Sequence, residues 1–107
     1  MRAKRTDSNQ KQIVEDLRDL GLSVFPTHEV GRGFPDLVVG AGGETYLVEI
    51  KRPAGPRGGL HGKKQNEEQI AFAERWKGGA VIVARSTEEV LEGIEHQLGT
   101  TIRTAVN

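Results

Sequence analysis

Residues 46–55 read YLVEIKRPAG. Tyr46, Leu47, Val48 and Ile50 give the segment the character of a buried β-strand, yet Glu49 and Lys51 stand inside it two positions apart. Side chains alternate faces along a strand, so Glu49 and Lys51 point one way while Val48 and Ile50 point the other. An acid and a base side by side on one face of a short apolar strand are either a solvated surface pair or part of a site. What the neighbouring segments bring to that face decides between the two.

Immediately upstream lies Leu37-Val38-Val39, a second apolar strand introduced by Pro35-Asp36 and closed by Gly40-Ala41-Gly42-Gly43. A glycine cluster between two apolar runs is a hairpin signal, which makes Thr45 to Lys51 the antiparallel partner. The start of the first strand then meets the end of the second, and Asp36 is brought beside Glu49 to Lys51 at one end of the sheet. Two carboxylates with a lysine nearby suit a hard divalent cation, because Mg²⁺ takes oxygen ligands and commonly one or two carboxylates. Such a metal polarises a phosphoryl oxygen and acidifies a bound water. The lysine can position that water or steady developing charge. A Glu-x-Lys pair alone arises often by chance, and Pro-Asp is also a common turn. The weight rests on the combination.

Further out, Asp7-Ser8-Asn9 offers helix N-cap residues. Ile13, Val14, Leu17 and Leu20 mark an apolar stripe at helical spacing, and Gly21 is a natural stop. Leu22 to Phe25 reads as a short strand that Pro26 ends or pushes to an edge. Thr27 to Phe34 is a loop in which Gly31 and Gly33 flank Arg32. After the opening stretch, residues 52–64 carry two prolines and four glycines and read as a long flexible loop. Asn66 to Gln69 has the form of a capping box, with Gln69 at its third helical position. The following helix has Ile70, Phe72, Ala73 and Trp76 on its apolar side, with Phe72 and Trp76 expected in the core. Ala80 to Ala84 reads as a fully buried strand. Ser86-Thr87-Glu88-Glu89 caps a last helix through Val90, Leu91 and Ile94, and residues 100–106 are a candidate terminal strand. The order αβββαβα predicts an α/β fold with a mixed central sheet flanked by helices.

The chain has 107 residues, which suits one domain spanning 1–107, with a basic, frayed start at 1–6. Lys plus Arg number 15, as do Asp plus Glu, so bulk charge does not drive binding to nucleic acid. Basic residues are instead local: Lys51, Arg52, Arg57, Lys63 and Lys64 fall in one stretch without an acid. Beside a metal site, that stretch and Arg32 suit contacts to phosphates, which give affinity without sequence choice. With no cysteine, disulfides, thiolate metal sites and cysteine nucleophiles are excluded. An intracellular, cytoplasmic location is expected, with no apolar run of membrane length and no signal-peptide pattern. His28, His61 and His96 lack metal-ligand spacing and read as ordinary surface residues.

The segments GRGFPDLVVG (31–40), TYLVEIKRP (45–53), EEQIAFAERW (67–76) and AVIVARSTEEVLEGI (80–94) resemble the PD-(D/E)xK nuclease superfamily. Within it they are most similar to the small stand-alone form of the VRR-NUC family, often phage-encoded. The resemblance runs from about residue 7 to residue 94 and implies a restriction-endonuclease-like core with Mg²⁺- or Mn²⁺-dependent phosphodiester hydrolysis. It implies Asp36, Glu49 and the main-chain carbonyl of Ile50 as metal ligands, Lys51 as the catalytic lysine and Gln69 as a further catalytic residue. Superfamily members often add an acid from the first helix. Here Asn9, Gln10 and Gln12 occupy that region and Glu15 follows a turn later, so the first-helix contributor is left open among Asn9, Gln10 and Glu15.

The expected activity is endonucleolytic hydrolysis of DNA, with 5′-phosphate and 3′-hydroxyl products by analogy. The chain has no room for a separate sequence-reading module, so branched or structured DNA is the expected substrate. Cutting two strands calls for two sites, hence a homodimer. Neither a membrane nor a small-molecule substrate is expected. The alternative is an inactive nucleic-acid-binding module on the same fold.

Overall fold

The computed structural model describes residues 8–52 and 65–99. Their elements are α1 (Ser8–Asp19), β1 (Ser23–Pro26), β2 (Leu37–Ala41), β3 (Glu44–Ile50), α2 (Gln65–Arg75), β4 (Ile82–Ala84) and α3 (Thr87–Leu98). The order is the αβββαβα read from the sequence. The segments at 1–6, 53–64 and 100–106, for which a frayed start, a loop and a terminal strand were expected, lie outside the described residues.

The sheet runs β1-β2-β3-β4. β1 pairs with β2 and β2 with β3 in antiparallel fashion, while β3 and β4 are parallel. The sheet is therefore mixed, as expected of a restriction-endonuclease-like core. A parallel pair cannot be joined by a tight turn, and α2 falls in the β3–β4 connection. The β2–β3 hairpin turns at Gly42 and Gly43, whose φ angles are 60° and 83°. Two successive positive φ values are what a two-residue hairpin turn of the primed type needs, and glycine adopts them without a Cβ clash.

Register alternation sorts the strands into two faces. On one, Val24, Leu37, Val39, Tyr46, Val48, Ile50, Ile82 and Ala84 meet Ile13, Val14 and Leu17 of α1 and Val90 and Ile94 of α3 in one cluster of buried residues. α3 is fixed at both ends: the Ser86 hydroxyl accepts from the Glu89 N–H at 3.1 Å, and the Gly99 N–H donates to the Glu95 carbonyl at 2.9 Å. α1 is followed by a turn through Gly21, whose φ is 95°, and the Arg18 guanidinium donates to the Val24 carbonyl at 2.8 Å, tying α1 to β1.

Four expectations about the core need correction. Leu20 is 58% exposed, because it falls in the turn beyond the last residue of α1. The strand read as Ala80 to Ala84 is three residues long and alternates, with Val83 55% exposed between buried Ile82 and Ala84. As an edge strand it has α3 on only one face. Phe72 is half-buried and Trp76 is 42% exposed. None of the described α2 side chains joins the buried cluster. Helical spacing told which α2 residues share a side; it could not tell whether anything covers that side.

Candidate active site

The second face of the sheet carries the polar residues. Leu37 pairs with Val48, so one step further out Asp36 stands opposite Glu49. Asp36 Oδ2 accepts the Ile50 N–H at 2.8 Å. That bond replaces the ladder bond missing where β2 stops, and it fixes the carboxylate against the end of β3. Thr27 holds the entry to β2: its N–H donates to the Asp36 carbonyl at 2.7 Å and its hydroxyl to the Pro35 carbonyl at 2.8 Å.

Glu49 is only 5% exposed. It is therefore no member of a solvated surface pair, and a buried carboxylate requires compensating donors. Gln69 of α2 supplies one: its Nε2 donates to Glu49 Oε2. The same amide accepts from Lys51 Nζ through Oε1 at 2.7 Å. The chemistry dictates this orientation, since an amide NH₂ suits a carboxylate and an amide oxygen suits a cation. The main chain of Lys51 is also held, by its N–H to the Ala84 carbonyl at 2.9 Å.

The reading of Gln69 as part of a capping box is overturned. α2 starts at Gln65, which places Asn66 inside the helix, and the Gln69 amide is spent between Glu49 and Lys51. What places α2 is the loop before Asp36. Gly33 has φ +82°, and a Cβ there would lie 2.2 Å from the Glu68 carbonyl oxygen. Only glycine permits the loop to pass so near the first turns of α2. Phe34 then packs edge-to-face on Phe72, with ring centroids 5.4 Å apart, and Phe72 stacks on Trp76 at the same distance. The segment leading into Asp36 and the helix bearing Gln69 are thus one packed unit.

A cavity of about 290 Å³ opens between α2 and the sheet; Glu49, Lys51 and Gln69 line it together with Ile70, Phe72 and Val83. Among the described residues, no group of three or more His, Cys, Asp or Glu side chains gathers as a metal site. The available donors are two carboxylates, Asp36 and Glu49, and the Ile50 carbonyl. An all-oxygen set of that size fits a hard cation that keeps several waters, as Mg²⁺ does.

The remaining candidates are spread out. Arg32 is exposed, with φ 57° between two left-handed glycines, and Arg52 is exposed next to Lys51. Arg57, Lys63 and Lys64 lie outside the described residues. On α1, Gln10 is 5% exposed and Glu15 is exposed. Gln12 donates to Asp16 at 2.8 Å. Asn9 reaches the end of the sheet, where its Nδ2 donates to the carbonyls of Lys51 at 3.0 Å and Arg85 at 3.2 Å. No sequence signal marks that double bond.

A family model described as archaeal Holliday junction resolvase (Hjc) matches residues 1–105. A search of curated proteins finds no match.

Proposed function

Because the chain belongs to the archaeal Holliday junction resolvase family, part of the PD-(D/E)xK nuclease superfamily and a family of nucleases acting on branched DNA, we propose that it is an endonuclease that hydrolyses phosphodiesters at DNA junctions with Mg²⁺ or Mn²⁺. The superfamily is the one the sequence motifs resemble; the family matched within it is Hjc. The reading is carried by one observation: the Gln69 amide joins Glu49 to Lys51 beside an Asp36 fixed on Ile50.

In this reading Asp36, Glu49 and the Ile50 carbonyl hold the divalent cation, which when bound supplies Lewis acidity and a nucleophilic water at neutral pH. Asp36 is pre-aimed by the Ile50 N–H, so its carboxylate need not reorganise. Glu49, buried on β3, accepts a hydrogen bond from the Gln69 amide, which orients its carboxylate. The cationic head of Lys51 stabilises negative charge building on the phosphoryl oxygens, and the Gln69 amide oxygen orients it. Arg32 and Arg52, with Arg57, Lys63 and Lys64, contact backbone phosphates, giving affinity without base readout. A second copy provides the second site for symmetric cleavage.

The test is cleavage of a synthetic four-way junction and of its linear duplex arms, with Mg²⁺, with Mn²⁺ and with EDTA, using Lys51→Ala as the control. Paired nicks in the junction that need the cation and vanish in the variant are expected. Junction binding without cleavage under every metal condition would instead establish the inactive binding module, and equal cutting by the variant would reveal a contaminant.

A further inference from the structure

Lys51 sits where β3 ends: the last β3–β4 pair is Ile50 with Ala84. One residue later the carbonyls of Lys51 and Arg85 are met from α1. A single side chain meets both. Asn9 of α1, 42 and 76 residues away in sequence, donates from one Nδ2 to the two carbonyls at 3.0 and 3.2 Å. At the same two residues, the Lys51 N–H donates to the Ala84 carbonyl at 2.9 Å and the Arg85 N–H to Glu89 Oε1 at 2.7 Å. Lys51 is thereby held at three points: its N–H by β4, its carbonyl by α1 and its Nζ by α2.

We infer that Asn9 is a positioning residue that clamps the Lys51 main chain, so that α1 serves the site through an amide donor and not through a carboxylate on the cation. The inference rests on Lys51 having the catalytic role proposed above. The chemistry of the clamp is specific. A primary amide nitrogen carries two N–H groups and can serve two carbonyls at once, whereas a carboxylate has only acceptors. Asn9→Asp sets a negative charge about 3 Å from two carbonyl oxygens. Asn9→Ala merely removes the donors. The clamp therefore orders the variants: wild type, then Asn9→Ala, then Asn9→Asp. A role for residue 9 as a ligand to the cation orders them the other way, with Asn9→Asp at least as active as wild type.

The experiment measures single-turnover cleavage of a four-way junction at saturating protein, the junction dissociation constant, and hydrogen exchange at the Lys51 amide by NMR, all on the full chain. For Asn9→Asp we expect cleavage to fall by about a hundredfold, the loss typical of a misplaced catalytic group, with junction affinity unchanged. We expect Lys51 amide exchange to rise in Asn9→Ala and Asn9→Asp while the Val48 amide, in the middle of β3, stays protected. A helix-stability role alone would lower the melting temperature and speed exchange throughout α1, without singling out Lys51. Asn9→Asp cutting at the wild-type rate or faster, or a Lys51 amide unaffected in both variants, overturns the inference. If the wild type cuts no junction, the proposed function fails, while the exchange measurement still decides the clamp. Should Asn9→Asp not fold, Asn9→Ala and Asn9→Ser carry both readouts.

Discussion

The two faces of the sheet are built from the same strands and made for different ends. On the α1/α3 face, Leu17, Leu37, Val39, Val48, Val90 and Ile94 are 0% exposed, and the cluster is aliphatic apart from Tyr46. On the α2 face, Glu49, Lys51 and Gln69 form a polar chain, flanked by apolar residues left half open. β3 serves both, with Val48 and Ile50 on one side and Glu49 and Lys51 on the other. The division separates stability from chemistry. Close packing on one face holds the backbone rigid, so that strained or costly groups can be placed on the other. α2 belongs to the second face alone, held by Gly33, Phe34 and the Gln69 amide and not by the core.

Substitutions should respect that division, and their effects can be ranked. Asp36→Asn keeps an oxygen for the Ile50 N–H but loses the charge, and Lys51→Ala removes the cationic head. Each is expected to lower junction cleavage by about 10²–10³-fold with little change in thermal stability, read by single-turnover kinetics alongside melting. Loss of folding in either variant would break the comparison. On the closed face, Ile94→Ala should cost about 2–5 kcal/mol, measured by denaturant unfolding. Its cleavage rate per folded molecule should match wild type well below the melting temperature.

Gly33→Ala tests the close approach between the loop and α2. The added Cβ meets the Glu68 carbonyl oxygen at 2.2 Å in a left-handed backbone, so either the loop or α2 must shift. A cost of about 1–3 kcal/mol should come with a loss of cleavage of about tenfold, because Gln69 moves with its helix. Unchanged cleavage would mean that Gln69 does not depend on this packing.

The smallest effect belongs to Asp16, on the stability side. Its carboxyl is held below the ordinary 3.8 by the Thr87 hydroxyl and then by the Gln12 amide. A folded-state value below the unfolded one gives stability that is present above the unfolded value and is lost as the pH falls through the folded one. Thr87→Val should therefore weaken the α1–α3 contact at neutral pH and flatten the decline of melting temperature between about pH 5 and pH 3. Cleavage at neutral pH should be untouched.

The opening stretch, the glycine hairpin and the position of Asp36 were legible because strand alternation and turn chemistry are local. They placed an acid, a second acid and a lysine at one end of one face, and the described register agrees. The resemblance those residues carry reached the superfamily; the family matched within it is that of the archaeal Holliday junction resolvases. Gln69 was legible as a position and ambiguous in role. Whether its amide turned back to its own helix or across to β3 depended on where α2 begins and on what Gly33 lets it approach. The apolar side of α2 was misjudged for a related reason: periodicity describes one element, and burial is a property of two.

The amino-acid order by itself determined the elements, their sequence along the chain and the alternation that divides β3 between core and site, since each follows from backbone geometry over a few residues. Only the tertiary structure decided that Gln69 joins Glu49 to Lys51, that Asn9 grips the ends of two strands, and that α2 lies outside the core. Those facts depend on contacts between segments far apart in the chain, whose geometry no local pattern encodes.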